Sequence, residues 1–219
     1  MQFEHFTVNG LTKISNSAFS NQTGQSIEFF SCLDCRLSDQ QPEFNVWKSL
    51  EPLTNLFNLE IGLDVSEIPT NALGHRKRLR LIFMTSKYQN LTIKSGVFQN
   101  LENIFLIHIN STAIDTIEKE AFKFNIKRTN LTSVLELYNV TLHNDTFKFG
   151  VFDGLNKPLT IVLQKASINY FDQKVFEPFF DNCEENSVVF QFTPIGSSHV
   201  DCKDCRNYWL IKQNRTSQV

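Results

Sequence analysis

Residues 93–98 read Ile-Lys-Ser-Gly-Val-Phe, and residues 117–122 read Ile-Glu-Lys-Glu-Ala-Phe. Both hexapeptides begin with a large apolar residue and end with a small aliphatic residue followed by a large apolar one. The same pattern closes at Phe19, Leu73, Phe98, Phe122, Phe152 and Phe176, and a weaker copy closes at Trp47. Successive copies end 24 to 30 residues apart, which is typical of a solenoid built from short repeats.

Short strand patterns precede most of these hexapeptides. Ile107 and Ile109 are separated by one residue, as the inward-facing residues of a strand would be, and a third apolar residue, Ile114, lies seven positions after Ile107. This spacing is typical of leucine-rich repeats. It predicts parallel strands at residues 59–61, 81–83, 107–109, 135–137 and 161–163, whose first and last residues face the core. The third apolar residues are Val65, Tyr88, Ile114, Leu142 and Ile168.

The predicted fold is an α/β solenoid, a leucine-rich-repeat horseshoe with a concave parallel sheet and a mostly irregular convex side. Each repeat has one apolar edge that is buried only when the repeats stack, and the 21 Phe residues would supply much of the convex wall. We expect an array of about seven degenerate repeats over residues 1–185. Residues 186–219 would hold a last strand and a truncated cysteine-rich cap.

Composition and motifs indicate a binding protein without catalytic function. The net charge is −2, which does not favour nucleic acid as a partner, and no stretch of about 20 apolar residues could span a membrane. Phosphate-loop, dinucleotide, zinc-protease and nucleophile-elbow motifs are all missing. We therefore expect no enzymatic activity, no cofactor and no metal, and we expect a protein partner.

The chain has two C-x-x-C pairs, Cys32 with Cys35 and Cys202 with Cys205, and a fifth cysteine at Cys183. Two such pairs are compatible with a four-thiolate zinc site, but a solenoid would hold them far apart, which disfavours that interpretation. Register places Cys32 and Cys35 in the core. There they could remain small core residues, bond to each other, or bond to a cysteine upstream of this fragment.

Cys202 and Cys205 are followed by Trp209 and Leu210, and this stretch resembles the opening of the cysteine-rich cap of extracellular leucine-rich-repeat proteins. With the repeats and the glycosylation sequons, it resembles the arthropod secreted leucine-rich-repeat proteins. Many of these are named after the non-catalytic subunit of the Oplophorus-luciferin 2-monooxygenase. The resemblance implies an accessory subunit without oxygenase chemistry, and disulfides that involve Cys183, Cys202 and Cys205. Toll-like membrane receptors share these features, so a receptor ectodomain is the alternative.

Seven Asn-x-Ser/Thr sequons favour the secretory pathway. They begin at Asn21, Asn90, Asn110, Asn130, Asn139, Asn144 and Asn214. The first residues carry no signal-peptide pattern. We therefore expect a fragment of a longer, secreted or extracellular protein.

The concave strand positions are the default binding surface of such a solenoid. The predicted register places twelve residues there: Asn58, Glu60, Arg80, Ile82, Met84, Leu106, His108, Glu136, Tyr138, Thr160, Val162 and Gln164. They mix apolar and polar side chains, so they fit either a recognition surface or an ordinary solvated sheet face.

Overall fold

A computed structural model describes residues 4–74, 76–87, 90–111, 113–124, 132–155, 158–168, 170–186, 189–194 and 205–212. The strands are β1 (Glu4–Thr7), β2 (Ile27–Leu37), β3 (Asn58–Leu63), β4 (Glu67–Ile68), β5 (Leu81–Ser86), β6 (Leu91–Ile93), β7 (Leu106–Ser111), β8 (Ala113–Ile117), β9 (Ser133–Tyr138), β10 (Thr141–Leu142), β11 (Leu159–Ala166) and β12 (Val189–Pro194). The α-helices are α1 (Asn21–Ser26), α2 (Val46–Leu50), α3 (Gln173–Asn186) and α4 (Tyr208–Lys212), with 3₁₀ turns at Pro42–Phe44 and Cys205–Asn207.

The chain forms a parallel β-solenoid of about six turns. Its main sheet has eight strands in the order β1-β2-β3-β5-β7-β9-β11-β12, hereafter the large sheet. Every neighbouring pair in it is parallel. The five strands expected from the sequence all lie in this sheet, so the solenoid and its parallel pairing are confirmed.

Two rows of apolar side chains run across the inner side of the large sheet. The first row is Phe30, Leu59, Ile82, Ile107, Leu135 and Ile161, and the second is Cys32, Ile61, Met84, Ile109, Leu137 and Leu163. Every member is at most 1% exposed. Each strand contributes two such residues, so stacking of successive turns builds one continuous core.

The predicted register of β5 is wrong by one residue. Ile82 and Met84 were expected on the open side of the sheet, but they are 0% and 1% exposed and pair with core residues of β3 and β7. Leu81 and Phe83, expected in the core, are partly exposed on the opposite face. Because side chains alternate along a strand, a shift of one residue exchanges the two faces.

The hexapeptides form the wall opposite the large sheet. Their closing residues Phe98 and Phe122 are fully buried, and the two rings stack at 6.1 Å between centroids. Phe122 stacks on Phe152 at 6.0 Å, and Phe152 contacts Phe176 at 5.8 Å. The recurring aromatic position of the repeat thus builds a continuous column of rings.

The segments between the large-sheet strands and the hexapeptides are more regular than predicted for a convex side, because a second, four-stranded parallel sheet links successive turns there, in the order β10-β8-β6-β4. Its strands are only two to five residues long. They lead to the residue that opens the hexapeptide, as at Ile68, Ile93 and Ile117, all fully buried. Backbone pairing between turns satisfies polar groups that an irregular segment would leave to water. The leucine-rich-repeat horseshoe is therefore not established by this architecture.

A buried cation ties neighbouring turns together. The Arg76 side chain is 3% exposed and donates to the backbone carbonyl oxygens of Leu50, at 2.6 Å, and Leu53, at 3.2 Å. Its burial lowers the pKa of Arg76 to about 10, so the guanidinium remains charged at neutral pH. Arg76 thus gives a donor to the Leu53 carbonyl oxygen, which follows the end of α2, and a second donor to that of Leu50, which also accepts from the Leu53 N–H.

The C-terminal segment packs against the last described turn. Trp209 Nε1 donates to the Phe171 carbonyl oxygen at 3.0 Å, and the Phe171 backbone N–H donates to Asn207 Oδ1 at 3.0 Å. Trp209 and Leu210, the pair on which the cap resemblance rests, are 6% and 4% exposed. The predicted disulfides of this region lie outside the described residues, which include neither Cys202 nor the side chains of Cys183 and Cys205.

Candidate functional site

The solvent-facing side of the large sheet, hereafter the open face, is the best candidate for a functional surface. Its middle row is Ser31, Glu60, Phe83, His108, Glu136 and Val162. All six side chains are half-buried, because cross-strand neighbours cover one another. The row includes Phe83, His108 and Val162, whereas a sheet face that only meets solvent would carry mainly polar residues.

Most of the predicted concave-face residues do lie on the open face. These are Asn58, Glu60, Leu106, His108, Glu136, Tyr138, Thr160, Val162 and Gln164, all half-buried, with Arg80 exposed just before β5. Ile82 and Met84 are the exceptions, because they are core residues. Phe83 takes the place predicted for them.

A histidine–carboxylate hydrogen bond lies at the centre of the open face. His108 Nδ1 and Glu136 Oε2 are 2.8 Å apart on the neighbouring strands β7 and β9, with both side chains about four-fifths buried. The His108 ring lies between two aromatic rings, with centroids 5.6 Å from Phe83 and 5.8 Å from Tyr138. The result is a pre-formed cluster of aromatic and polar groups.

Lys165 extends this cluster toward β11. Its Nζ donates to the Tyr138 hydroxyl at 2.6 Å and lies 5.0 Å from the Tyr138 ring centroid. Lys165 has φ +50°, at the point where the register between β11 and β12 shifts. Such irregularities change the direction of a side chain. The sequence pattern did not predict the irregularity at Lys165.

The side of the open face nearest the strand N-termini is aromatic. The rings of Phe29 and Phe57 are 5.8 Å apart, His5 stacks on Phe29 at 4.2 Å, and the Arg80 guanidinium lies 5.5 Å from the Phe57 ring. Aromatic residues and Arg are the groups most enriched at the energetic centres of protein interfaces. Glu60 is more constrained, because it accepts hydrogen bonds from Ser31 and Asn58.

A disulfide-closed loop borders the other side, at the strand C-termini. Cys32 and Cys35 form a disulfide, which selects one of the alternatives that the sequence left open. Residues 33–36 have no partners in β3, whose pairing with β2 passes from Cys32–Ile61 to Leu37–Leu63. The loop fits because residue 62 is Gly: a β-carbon there would clash with the carbonyl oxygens of Leu33 and Cys35.

The predicted glycosylation sites differ in accessibility. Asn21, Asn90, Asn139 and Asn144 are exposed, Asn110 is half-buried on the open face, and Asn130 and Asn214 lie outside the described residues. A glycan on any of the four exposed residues could project into water. One on Asn110 would cover part of the open face.

The described part of the chain offers no support for a metal site or a membrane-spanning helix. Among those residues there is no group of three or more His, Cys, Asp or Glu side chains placed to hold a metal ion. No described helix has the length and apolar character needed to cross a membrane.

Comparisons with known proteins do not assign this chain to a family. No protein-family model matches the chain, and no curated protein matches it significantly.

Proposed function

We propose that this chain is a leucine-rich-repeat module of a secreted or extracellular protein, and that it binds a protein partner through the open face without catalysing a reaction. The observation that carries the proposal is the cluster of Phe83, His108, Glu136, Tyr138 and Lys165. Aromatic rings that are half-buried and held by neighbours lose little conformational entropy on binding, which favours affinity.

The repeat spacing, the disulfide and the sequons support the leucine-rich-repeat and extracellular parts of the proposal. A disulfide between Cys32 and Cys35 persists in oxidising compartments and is rare in the cytosol. Asn90 and Asn144 are exposed and occupy equivalent places, three residues before the hexapeptide begins. The resemblance to arthropod secreted proteins further supports a non-catalytic accessory role.

The binding surface can be tested with charge substitutions on the two sides of the solenoid. Full-length protein, Phe83→Glu and Tyr138→Glu variants, and a matched Phe149→Glu control would each be immobilised and exposed to secreted proteins of the source tissue. Phe149 is 71% exposed in a hexapeptide, on the other wall. A partner captured by wild type and Phe149→Glu, but lost from both open-face variants, supports the proposal. Equal capture by all four would refute it.

The compartment can be tested separately. We expect the full-length gene, expressed in insect cells, to yield a secreted product whose mobility changes after treatment with an N-glycosidase, with glycans at Asn90 or Asn144. A product that stays in the cytosol, shows no mobility change and keeps its cysteines reduced would overturn the extracellular part. An intracellular binding scaffold would then remain.

A further inference from the structure

A groove of about 400 Å³ runs along the C-terminal ends of the large-sheet strands, between the Cys32–Cys35 loop and the turns that follow β5 and β9. Its polar lining residues include Asp34, Arg36, Thr85, Lys87, Asn110 and Asn139. This volume lies within the range of ordinary ligand sites and corresponds to a short peptide segment. The groove adjoins the open face, since Thr85 and Asn110 pair in neighbouring strands.

The wall of this groove is a built feature of the fold. The disulfide closes the loop, the Arg36 backbone N–H donates to the Leu11 carbonyl oxygen at 2.7 Å, and Thr85 Oγ1 donates to the Leu33 carbonyl oxygen at 3.3 Å. Gly62 allows the loop to cross its strand. These three contacts fix the wall in the absence of a ligand. Such pre-organisation reduces the conformational entropy that is lost on binding.

The charges along the groove favour an anionic ligand. Arg36 and Lys87 are both exposed and line it, against one carboxylate, Asp34. Within the described ranges neither cation forms an ion pair, whereas Lys94, Lys119, Lys123 and Lys148 on the hexapeptide side all do. The carboxamides of Asn110 and Asn139 can each donate to and accept from a peptide backbone.

We propose that this groove binds an extended, acidic peptide segment of the partner, with Arg36 and Lys87 facing its carboxylates and the asparagines hydrogen-bonding its backbone. The inference rests on the proposed function and deepens it, because it gives the partner a chemistry. It requires that neither Asn110 nor Asn139, both sequon residues that line the groove, carries a glycan in the native protein, since a sugar on either would fill the groove.

The test uses a random 12-residue peptide library displayed on phage and selected on the full-length, oxidised protein. We expect an acidic consensus. The synthetic consensus peptide should bind wild type and a Lys174→Glu control equally, and it should bind Lys87→Glu roughly tenfold or more weakly, the loss expected for one well-placed charge pair. Lys174 is exposed on α3, outside the groove. Thr85→Trp, which fills the groove from an outward position, should also abolish binding.

Three outcomes would overturn the inference. One is a consensus without acidic residues, or no enrichment at all. Another is a bound peptide that is insensitive to Lys87→Glu and Thr85→Trp but lost in Phe83→Glu, which would leave the open-face function intact and refute only the groove. The third is full glycan occupancy at Asn110 or Asn139, measured by mass spectrometry of the insect-cell product.

Discussion

Replacing Phe122 by Ala removes the middle ring of the aromatic column. Phe122 is 0% exposed, and its ring stacks between Phe98 at 6.1 Å and Phe152 at 6.0 Å. Truncation of a fully buried Phe costs about 3–5 kcal/mol from lost burial and the residual cavity. Two aromatic pairs are lost together, each worth about 0.5–1.5 kcal/mol beyond its buried area. We therefore expect a loss of free energy of unfolding in the upper half of that range.

Urea denaturation followed by far-ultraviolet circular dichroism measures this loss, provided that wild type unfolds in one transition. The matched control is Phe149→Ala, two positions after the start of the next hexapeptide and 71% exposed. An exposed substitution of this kind is expected to change stability by less than about 0.5 kcal/mol. Similar losses at Phe122 and Phe149 would refute the aromatic column as the wall of the core.

Three further predictions use the same assay. Ile82→Asn should cost about 3 kcal/mol or more and Phe83→Asn less than about 1 kcal/mol, because only residue 82 is in the core; a larger cost at Phe83 than at Ile82 would restore the register expected from sequence. Arg76→Met should cost about 1–3 kcal/mol, because the Leu53 carbonyl oxygen loses its guanidinium donor while that of Leu50 keeps only the Leu53 backbone N–H; an unchanged midpoint would contradict this. Replacing Cys32 and Cys35 together by Ser should cost about 2 kcal/mol from loop-closure entropy, whereas dithiothreitol should not destabilise that variant further.

Much of the fold could be predicted because each turn repeats its burial pattern. Ile107 and Ile109 alternate with polar or less buried neighbours, and so do Leu135 and Leu137, which fixes the face of each strand. Residues 81–84 are Leu-Ile-Phe-Met, where alternation gives no information and a shift of one residue goes unnoticed. The second sheet escaped prediction because its strands are too short to show a period.

The candidate site could be predicted only as a set of outward positions. His108 and Glu136 were both expected on the binding face, but their 2.8 Å contact depends on which residues of β7 and β9 lie opposite each other. Lys165 reaches Tyr138 through a left-handed backbone conformation, which is unusual for a residue other than Gly. The local pattern of apolar and polar residues does not encode contacts that depend on strand register or on an unusual backbone conformation.

Register between turns is set by core packing and does not require a constant repeat length. Leu59 pairs with Ile82, 23 positions later, whereas Ile107 pairs with Leu135, 28 positions later. Both pairs nevertheless lie in the same buried row, so the extra residues must be accommodated in the loops between strands. A solenoid can therefore change its loops, as at the Cys32–Cys35 loop, while the core rows stay aligned. Loops that border the open face are thus the places where binding specificity can vary at the smallest cost to stability.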